Sequence, residues 1–385
     1  MKIVYILKSM APVGGLERVI CDKMNYLVSH GHDVSLITYE QGNHPFAFQL
    51  DSRICHYDLD VRFFMLYRYP LGKKLYYCIK FRSNFRKRLQ GVIDNINPDI
   101  IIANSYSMIV VDVITRIRTN AYKIMESHVA FYIMRKLSSY KSNPLLYGFA
   151  KIYDWHTGVA VGRFDRVVTL TKGDACDWRM LTERVEVIPN PVTCYFDNVL
   201  AHTSDNHRII CVGRLSEQKG YDLLIEAFAM IASKCLQWHI DIYGSGDDEA
   251  MLCQMIVDRK LQERIIIHPP TNDIYKEYQT SDFLVLSSRY EGFALVLGES
   301  ASCGIPSVAF RCKYGPEEVI TDGENGLLVT DGDVNELAEK ILWMINHREE
   351  RLRMGIKARE MAKKYQIDSV MKRWEILFNS FEKHH

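Results

Sequence analysis

The chain alternates short apolar runs with amphipathic stretches. KIVYIL (2–7), DVSLIT (33–38), DIIIAN (99–104), YKIMES (122–127), RVVTLT (166–171) and RVEVIP (184–189) have the length and β-branched content of strands. Patterns of helical period lie between several of them. LERVICDKMNYLVSHG (16–31) is one, and its closing glycine marks a helix stop. This alternation predicts a parallel sheet covered by helices. The pattern pauses after PNPV (189–192) at a polar stretch, 193–207, with the composition of a linker. It then restarts with RIICVG (208–213), WHIDIYG (238–244), RIIIHP (264–269), FLVLSS (283–288), PSVAF (306–310) and GLLVT (326–330). The tail, 333–382, is helical in pattern. Two successive α/β sheets joined near residue 200 are expected, without short repeats or low-complexity segments.

Composition adds limits to this picture. The 385 residues suit two domains, each with its own core. A net charge of +1 with 25% charged and 48% hydrophobic residues is a soluble globular composition that excludes no partner class. Ten cysteines show no CxxC spacing, and several sit in apolar runs, so they read as buried free thiols in a reducing compartment. The amino-terminal apolar run is about five residues, shorter than a signal-peptide core, and reads as a first strand. No run of about 18 apolar residues is present to cross a membrane.

The candidate chemistry lies where strands give way to helices, the edge of an open α/β sheet at which ligands bind. RYEGFALVLGE (289–299) places Glu291-Gly292 in the turn after a strand and Glu299 about one turn into the next helix. Either the two glutamates serve a ligand or Glu291 caps the helix and Glu299 is solvated. VGRLSEQKGYDLLIEAF (212–228) puts Arg214 and Lys219 in a strand-to-helix loop, where two cations suit a diphosphate at a helix start or are merely solvated. This is neither the Walker lysine loop nor GxGxxG. Gly244-Ser245-Gly246 makes a tight turn that permits close backbone approach or simply a capped strand-to-helix turn. Gly14-Gly15 follows the first strand, where adjacent glycines let backbone amides meet a phosphate or form a flexible turn. His128 closes the strand 122–127 at the same kind of edge. Gly315-Pro316, Gly323 and Gly326 read as structural punctuation.

Taken in order, GGLERV, the strand-end His128, IPNPV, GRLSEQKG, YGSGDD and EGFALVLGE followed by CGIPSVAF resemble the retaining GT-B glycosyltransferases of family 4 (group 1). The resemblance runs over nearly the whole chain. It implies two Rossmann-like domains facing each other across a cleft: an acceptor-binding domain (1–195), a nucleotide-sugar-binding domain (196–365), and a final helix (366–385) returning to the first. It implies that Glu291 lies by the donor sugar and that the backbone of Gly292, Phe293, Ala294 and Leu295 holds sugar hydroxyls and phosphate. Glu299 would accept hydrogen bonds from the ribose, Arg214 and Lys219 would neutralise the diphosphate, Gly15 would approach it from the other domain, and His128 would contact the sugar. The base would sit against the strand ends at Gly244 and Ile267-His268, where HPP (268–270) departs from the commoner glycine-containing pattern.

The implied activity is transfer of a hexose or N-acetylhexosamine from a nucleotide sugar, UDP-linked, to a glycan or lipid-linked acceptor in lipopolysaccharide, capsule or glycolipid synthesis. GPEEVITDGENGLLV resembles the segment of galactose- and N-acetylhexosamine-transferring members. No cofactor beyond the donor and no metal is expected: Asp58-Leu59-Asp60 and Asp331-Gly332-Asp333 read as structural. Rival expectations are a nucleotide-sugar 2-epimerase of the same fold and a noncatalytic glycan-binding or scaffold subunit. Residues 62–88 hold nine Lys or Arg, eight Phe or Tyr and no acid. That composition suits an anionic membrane surface at the cytoplasmic face, or a helix with its aromatics inward and its bases solvated. The balanced net charge argues against nucleic acid.

Overall fold

A computed structural model of the chain describes residues 1–104, 108–134, 144–192, 205–271 and 273–382. It divides into two compact units, Met1–Pro189 with Met371–His385, and Asn190–Val370. The sequence boundary of 195/196 lies a few residues beyond that division, and most of the linker-like stretch falls outside the described residues.

In the first unit seven strands form one sheet: β1 Lys2–Leu7, β2 Asp33–Thr38, β3 Cys55–Asp58, β4 Ile100–Asn104, β5 Tyr122–Ser127, β6 Arg166–Thr169 and β7 Val185–Val187. Their order is β3-β2-β1-β4-β5-β6-β7, and every pairing is parallel. Helices α1 Gly15–Ser29, α2 Leu71–Ile96, α3 Met108–Thr115, α4 Phe131–Met134, α5 Pro144–Val161 and α6 Lys172–Trp178 connect the strands. β3 is a correction to the sequence reading. Its CHYD residues are half-buried or exposed at the sheet edge, so no apolar run announces it.

The second unit repeats the plan with six parallel strands in the order β10-β9-β8-β11-β12-β13. These are β8 Arg208–Val212, β9 His239–Tyr243, β10 Ile265–His268, β11 Phe283–Leu286, β12 Ser307–Phe310 and β13 Gly326–Val329. Its helices are α7 Tyr221–Ile231, α8 Glu249–Asp258, α9 Ile274–Gln279, α10 Leu295–Ser302, α11 Pro316–Val319, α12 Val334–Asn346 and α13 Arg348–Ala362. The core of this unit gathers strand residues such as Ile209, Ile240 and Val285 against Leu224, Phe228 and Ile341 of the covering helices. Burying both faces of a parallel sheet explains why the strands read as continuous apolar runs.

The last helix, α14 Ile367–Glu382, starts in the second unit, but its residues from Met371 onward belong to the first. Trp374, Phe378 and Phe381 are buried there, and the Tyr122 ring stacks on Phe381 with its hydroxyl donating to the Phe381 carbonyl at 3.1 Å. In each sheet the chain starts in the middle and winds outward both ways. The reversal falls between β1 and β4, and between β8 and β11, and the loops leaving those strands at their carboxyl ends form a natural ligand crevice.

Candidate active site

In the second unit the loop after β8 and the loop after β11 flank the strand reversal. Glu217–Lys219 forms a single 3₁₀ turn, and Gly220 at φ 62° starts α7. A side chain at Gly220 would collide with the Ser287 carbonyl oxygen at 2.1 Å, so glycine is what lets the two loops meet. Arg289 clamps them further, pairing through both Nη atoms with Asp222 at 2.8 and 2.6 Å and donating to the Glu217 carbonyl. This closeness brings Lys219 to Glu291. Lys219 Nζ donates to Glu291 Oε1 at 2.7 Å, and Ser288 Oγ donates to the same oxygen at 2.7 Å. Glu291 is buried, and it is not the helix cap that the sequence allowed.

The cap of α10 is Ala294 at φ 53° and ψ 63°, a left-handed conformation that costs a non-glycine residue about 1 kcal/mol. Alanine has no oxygen with which to cap. Among the described residues none of the N–H groups of Gly292, Phe293, Ala294 and Leu295 donates a hydrogen bond. Four consecutive unpaired donors at a strand end, on the positive end of a helix, form a concavity for an anion. Phe293 is buried against Tyr365, and Gly315 packs on Glu291 Cβ and the Phe293 backbone, which holds the turn in place.

The other predicted positions fall around this turn with different partners. Arg214 is exposed and pairs with nothing among the described residues. Glu299, one turn into α10, accepts from the buried Tyr278 hydroxyl at 3.0 Å. Burial and then the Glu299 charge push the Tyr278 phenol well above its ordinary value, so it remains a donor. Gly244 is where β9 passes closest to the β8 loop: a side chain there would lie 1.9 Å from the Gly213 carbonyl oxygen. His268 stacks on Tyr243 with ring centroids 4.7 Å apart, and its Nε2 lies 2.8 Å from buried Asp241. Arg208 joins the same network through Asp241, Tyr243 and Glu277.

Gly14, Gly15 and His128 lie in the first unit. Gly14 is the N-cap of α1 and supplies no side-chain cap; the N–H groups of Gly14, Gly15 and Leu16 donate to no partner among the described residues. His128 follows β5, and its Nε2 is 3.1 Å from Glu126 Oε1, off the line of a hydrogen bond. Lys23 of α1 donates to that same oxygen at 2.5 Å, and its ammonium rests 3.8 Å above the Trp374 ring. Burial raises the Glu126 pKa, but the Lys23 and His128 charges outweigh it and hold the carboxyl down at about 2. Asn104, directly across from Glu126 on β4, is buried with both amide atoms unpaired, as are the Tyr5 hydroxyl and Glu126 Oε2. No hydrogen bond or ion pair joins the two glycines to His128 among the described residues.

Sequence reasoning missed Ser288, Arg289, Tyr278, Asp241, Lys23 and Glu126. Lys219 and Glu291 stand 72 positions apart, and Lys23 and Glu126 stand 103 apart, so only the fold pairs them. It also missed a cavity of about 560 Å³ at the carboxyl ends of β1 and β2, lined by Met10, Leu16, Ile20, Tyr39, Phe63 and Phe64 among others.

Two doubly wound parallel sheets, with unpaired helix-start donors and a lysine at the second strand reversal, define the class of GT-B glycosyltransferases. The chain belongs to the group 1, family 4 glycosyltransferases: residues 196–361 match the model for glycosyl transferases group 1, and residues 13–195 match that for Glycosyltransferase Family 4. It is 29% identical to an uncharacterized glycosyltransferase of Haemophilus influenzae over 97% of this chain and 99% of that one. It is 30% identical to the poly(ribitol-phosphate) alpha-N-acetylglucosaminyltransferase of Staphylococcus aureus over 57% of this chain and 44% of that enzyme. Among solved structures it resembles HepE of Anabaena, determined in complex with UDP and glucose, with a TM-score of 0.74 at 18% identity over 99% of this chain and 100% of that one.

Proposed function

We propose that the chain is a retaining transferase that moves a hexose or N-acetylhexosamine from a UDP-linked donor to a glycan or lipid-linked acceptor. The observation that carries this reading is the run of four unpaired N–H groups at 292–295 beside the Lys219–Glu291 pair. As the glycosidic bond breaks, negative charge grows on the diphosphate and positive charge on the anomeric carbon. Preorganised donors and cations aimed at the first are the largest electrostatic aid such a site offers. Lys219 uses one N–H on Glu291 and keeps two for phosphate oxygens, while Arg214 brings a second, free cation. Glu299, held by Tyr278, suits the ribose hydroxyls. His128 is the sugar contact in the first unit, with Gly15 toward the phosphates. Gly244 and His268 are the positions assigned to the base.

The acceptor belongs to the first unit, where the apolar cavity near Phe63 and Phe64 matches a lipid-linked or partly apolar substrate. Residues 62–88 give contact with an anionic membrane at its cytoplasmic side, in the synthesis of surface polysaccharide or lipopolysaccharide. Among the described residues no helix is long and apolar enough to cross that membrane.

Calorimetric titration with UDP, GDP and ADP tests the donor site. Selective binding of UDP that is lost in Lys219→Ala supports it, and no binding of any nucleotide rejects it. Leaving-group stabilisation by Lys219, Arg214 and the N–H groups needs no divalent ion, so EDTA should leave the rate unchanged. Loss of activity restored by a divalent ion would overturn that step. The anomeric configuration of the product, read by NMR, decides retention.

A further inference from the structure

The helices α2, α3 and α5 connect successive strands in one direction, so they cover one face of the seven-stranded sheet, and α3 packs against both of the others. At their junction is Asp112 of α3, whose side chain is 1% exposed. Three guanidinium groups meet there, one from α2 and one each from the turns that follow α3 and α5. Arg82 of α2 binds Oδ2, Arg116 donates through Nε to Oδ1 at 2.9 Å, and Arg163 reaches Oδ1 at 3.4 Å. His156 Nε2 of α5 lies 3.7 Å from the same oxygen.

One carboxylate cannot neutralise three guanidinium groups. Among the described residues no second carboxylate pairs with Arg82, Arg116 or Arg163, and their side chains are 41%, 44% and 39% exposed. Asp112 thus anchors the arginines and leaves most of their N–H donors without a protein partner among the described residues, with surplus positive charge. Fixed guanidinium forks of this kind match a phosphate group.

The same helices present an apolar surface without cover. On α2, Tyr76 and Ile79 are 63% and 62% exposed; on α5, Ile152 and Trp155 are 64% and 69% exposed. Ile79 precedes Arg82 by one turn, and Ile152, His156 and Val159 follow one helical stripe of α5, with Arg163 in the turn just past its end. Other aromatics of 62–88 turn inward: Phe63, Phe81 and Phe85 pack edge to face, and Phe85 is fully buried. The segment therefore divides its aromatics between core and surface.

We propose that this face docks on an anionic phospholipid membrane, with Arg82, Arg116 and Arg163 cradling a headgroup phosphate while Ile79, Ile152 and Trp155 enter the interfacial layer. Charge decides the occupant. Protein interfaces are depleted of charge at their centres, whereas here the stretch 62–88 carries nine cations and no acid, and Asp112 is outnumbered by its three arginines. Arg116, Arg163, Ile152 and Trp155 lie outside 62–88, so the surface extends well beyond the basic stretch. Both helices run antiparallel to the strands, so Tyr76 and Ile79 of α2 lie in the half nearer the carboxyl edge of the sheet, while Ile152 lies at the middle of α5 and Trp155 beyond it. A lipid-linked acceptor would be delivered to that edge, which ties the purpose of the surface, though not its test, to the transferase reading.

Flotation of the full chain with phosphatidylcholine vesicles, with and without phosphatidylglycerol, is the test. Binding should require phosphatidylglycerol, weaken with salt, and fall about 10²-fold in Arg82→Gln/Arg116→Gln/Arg163→Gln. Ile152→Ser/Trp155→Ser changes only exposed positions, retains the fold by circular dichroism, and should lower binding about tenfold. Lys340→Gln/Arg353→Gln in the second unit should leave it unchanged. Absence of binding, or full binding by the Ile152/Trp155 variant, overturns the proposal. So does stabilisation by inorganic phosphate that vanishes in the triple variant while vesicle binding persists, because the arginines would then hold free phosphate. UDP titration of the same preparation reads the donor site separately, so failed flotation with UDP binding retained rejects this surface alone.

Discussion

Lys23 and Glu126 meet at 2.5 Å in the first unit, and Lys219 and Glu291 meet at 2.7 Å in the second. Both pairs lie near the carboxyl edge of a parallel sheet, yet their surroundings differ. The first is sealed: its side chains are 1% and 3% exposed, an indole covers the ammonium, and Glu126 Oε2 has no partner. The second is open on the lysine side, which is 15% exposed, and stands beside four unpaired N–H groups. Desolvation makes a sealed pair costly to break and of little use to a ligand. An open pair holds a cation in place while leaving it donors for an incoming phosphate.

Breaking the first pair should produce the largest effect on the fold. Lys23→Met strands a buried carboxylate and should cost about 3–5 kcal/mol in urea denaturation; a loss near zero would mean that water reaches Glu126. Acid supplies a second probe. The Glu126 pKa is lowered to about 2 in the folded chain, so its stabilising contribution is present above the unfolded value of 4.5 and is lost as pH falls toward 2. Glu126→Gln should flatten the stability profile in that window, and an unchanged profile would assign the acid sensitivity elsewhere.

Breaking the second pair should act on rate. Lys219→Ala should slow transfer about 10²-fold or more and, because Ser288 still donates to Glu291 and the lysine side is open to solvent, lower the urea midpoint less than Lys23→Met does. Equal losses in both measurements would make the two pairs alike and remove the distinction. Glu299→Ala should weaken UDP binding about tenfold through loss of a charge-assisted hydrogen bond; unchanged affinity would take Glu299 out of the ribose site.

The two sheets were legible because a strand buried on both faces writes itself as an apolar run, and β3, at an edge, was not. The positions of Glu291 and Glu299 were legible for a related reason: charges flanking a buried strand and helix mark a chain reversal. Their partners were not. Lys219 looks like any loop cation until Gly220 brings its loop against Ser287, and Asp112 looks like a helix acid until α2 and the turns after α3 and α5 bring arginines to it. Local pattern records burial, whereas pairing across the fold depends on packing distances that no window of sequence contains.

The last helix bears on how the chain is made. Trp374, Phe378 and Phe381 complete the core of the unit that begins at Met1, so that core is not contiguous in the gene. On the ribosome, domains generally fold in the order in which they emerge. Here the first unit must wait for α14 to emerge before Lys23 gains its indole cover, and the second unit has its whole sequence available sooner. Synthesis arrested before α14 would leave the first unit unfinished although the second unit follows it in the chain.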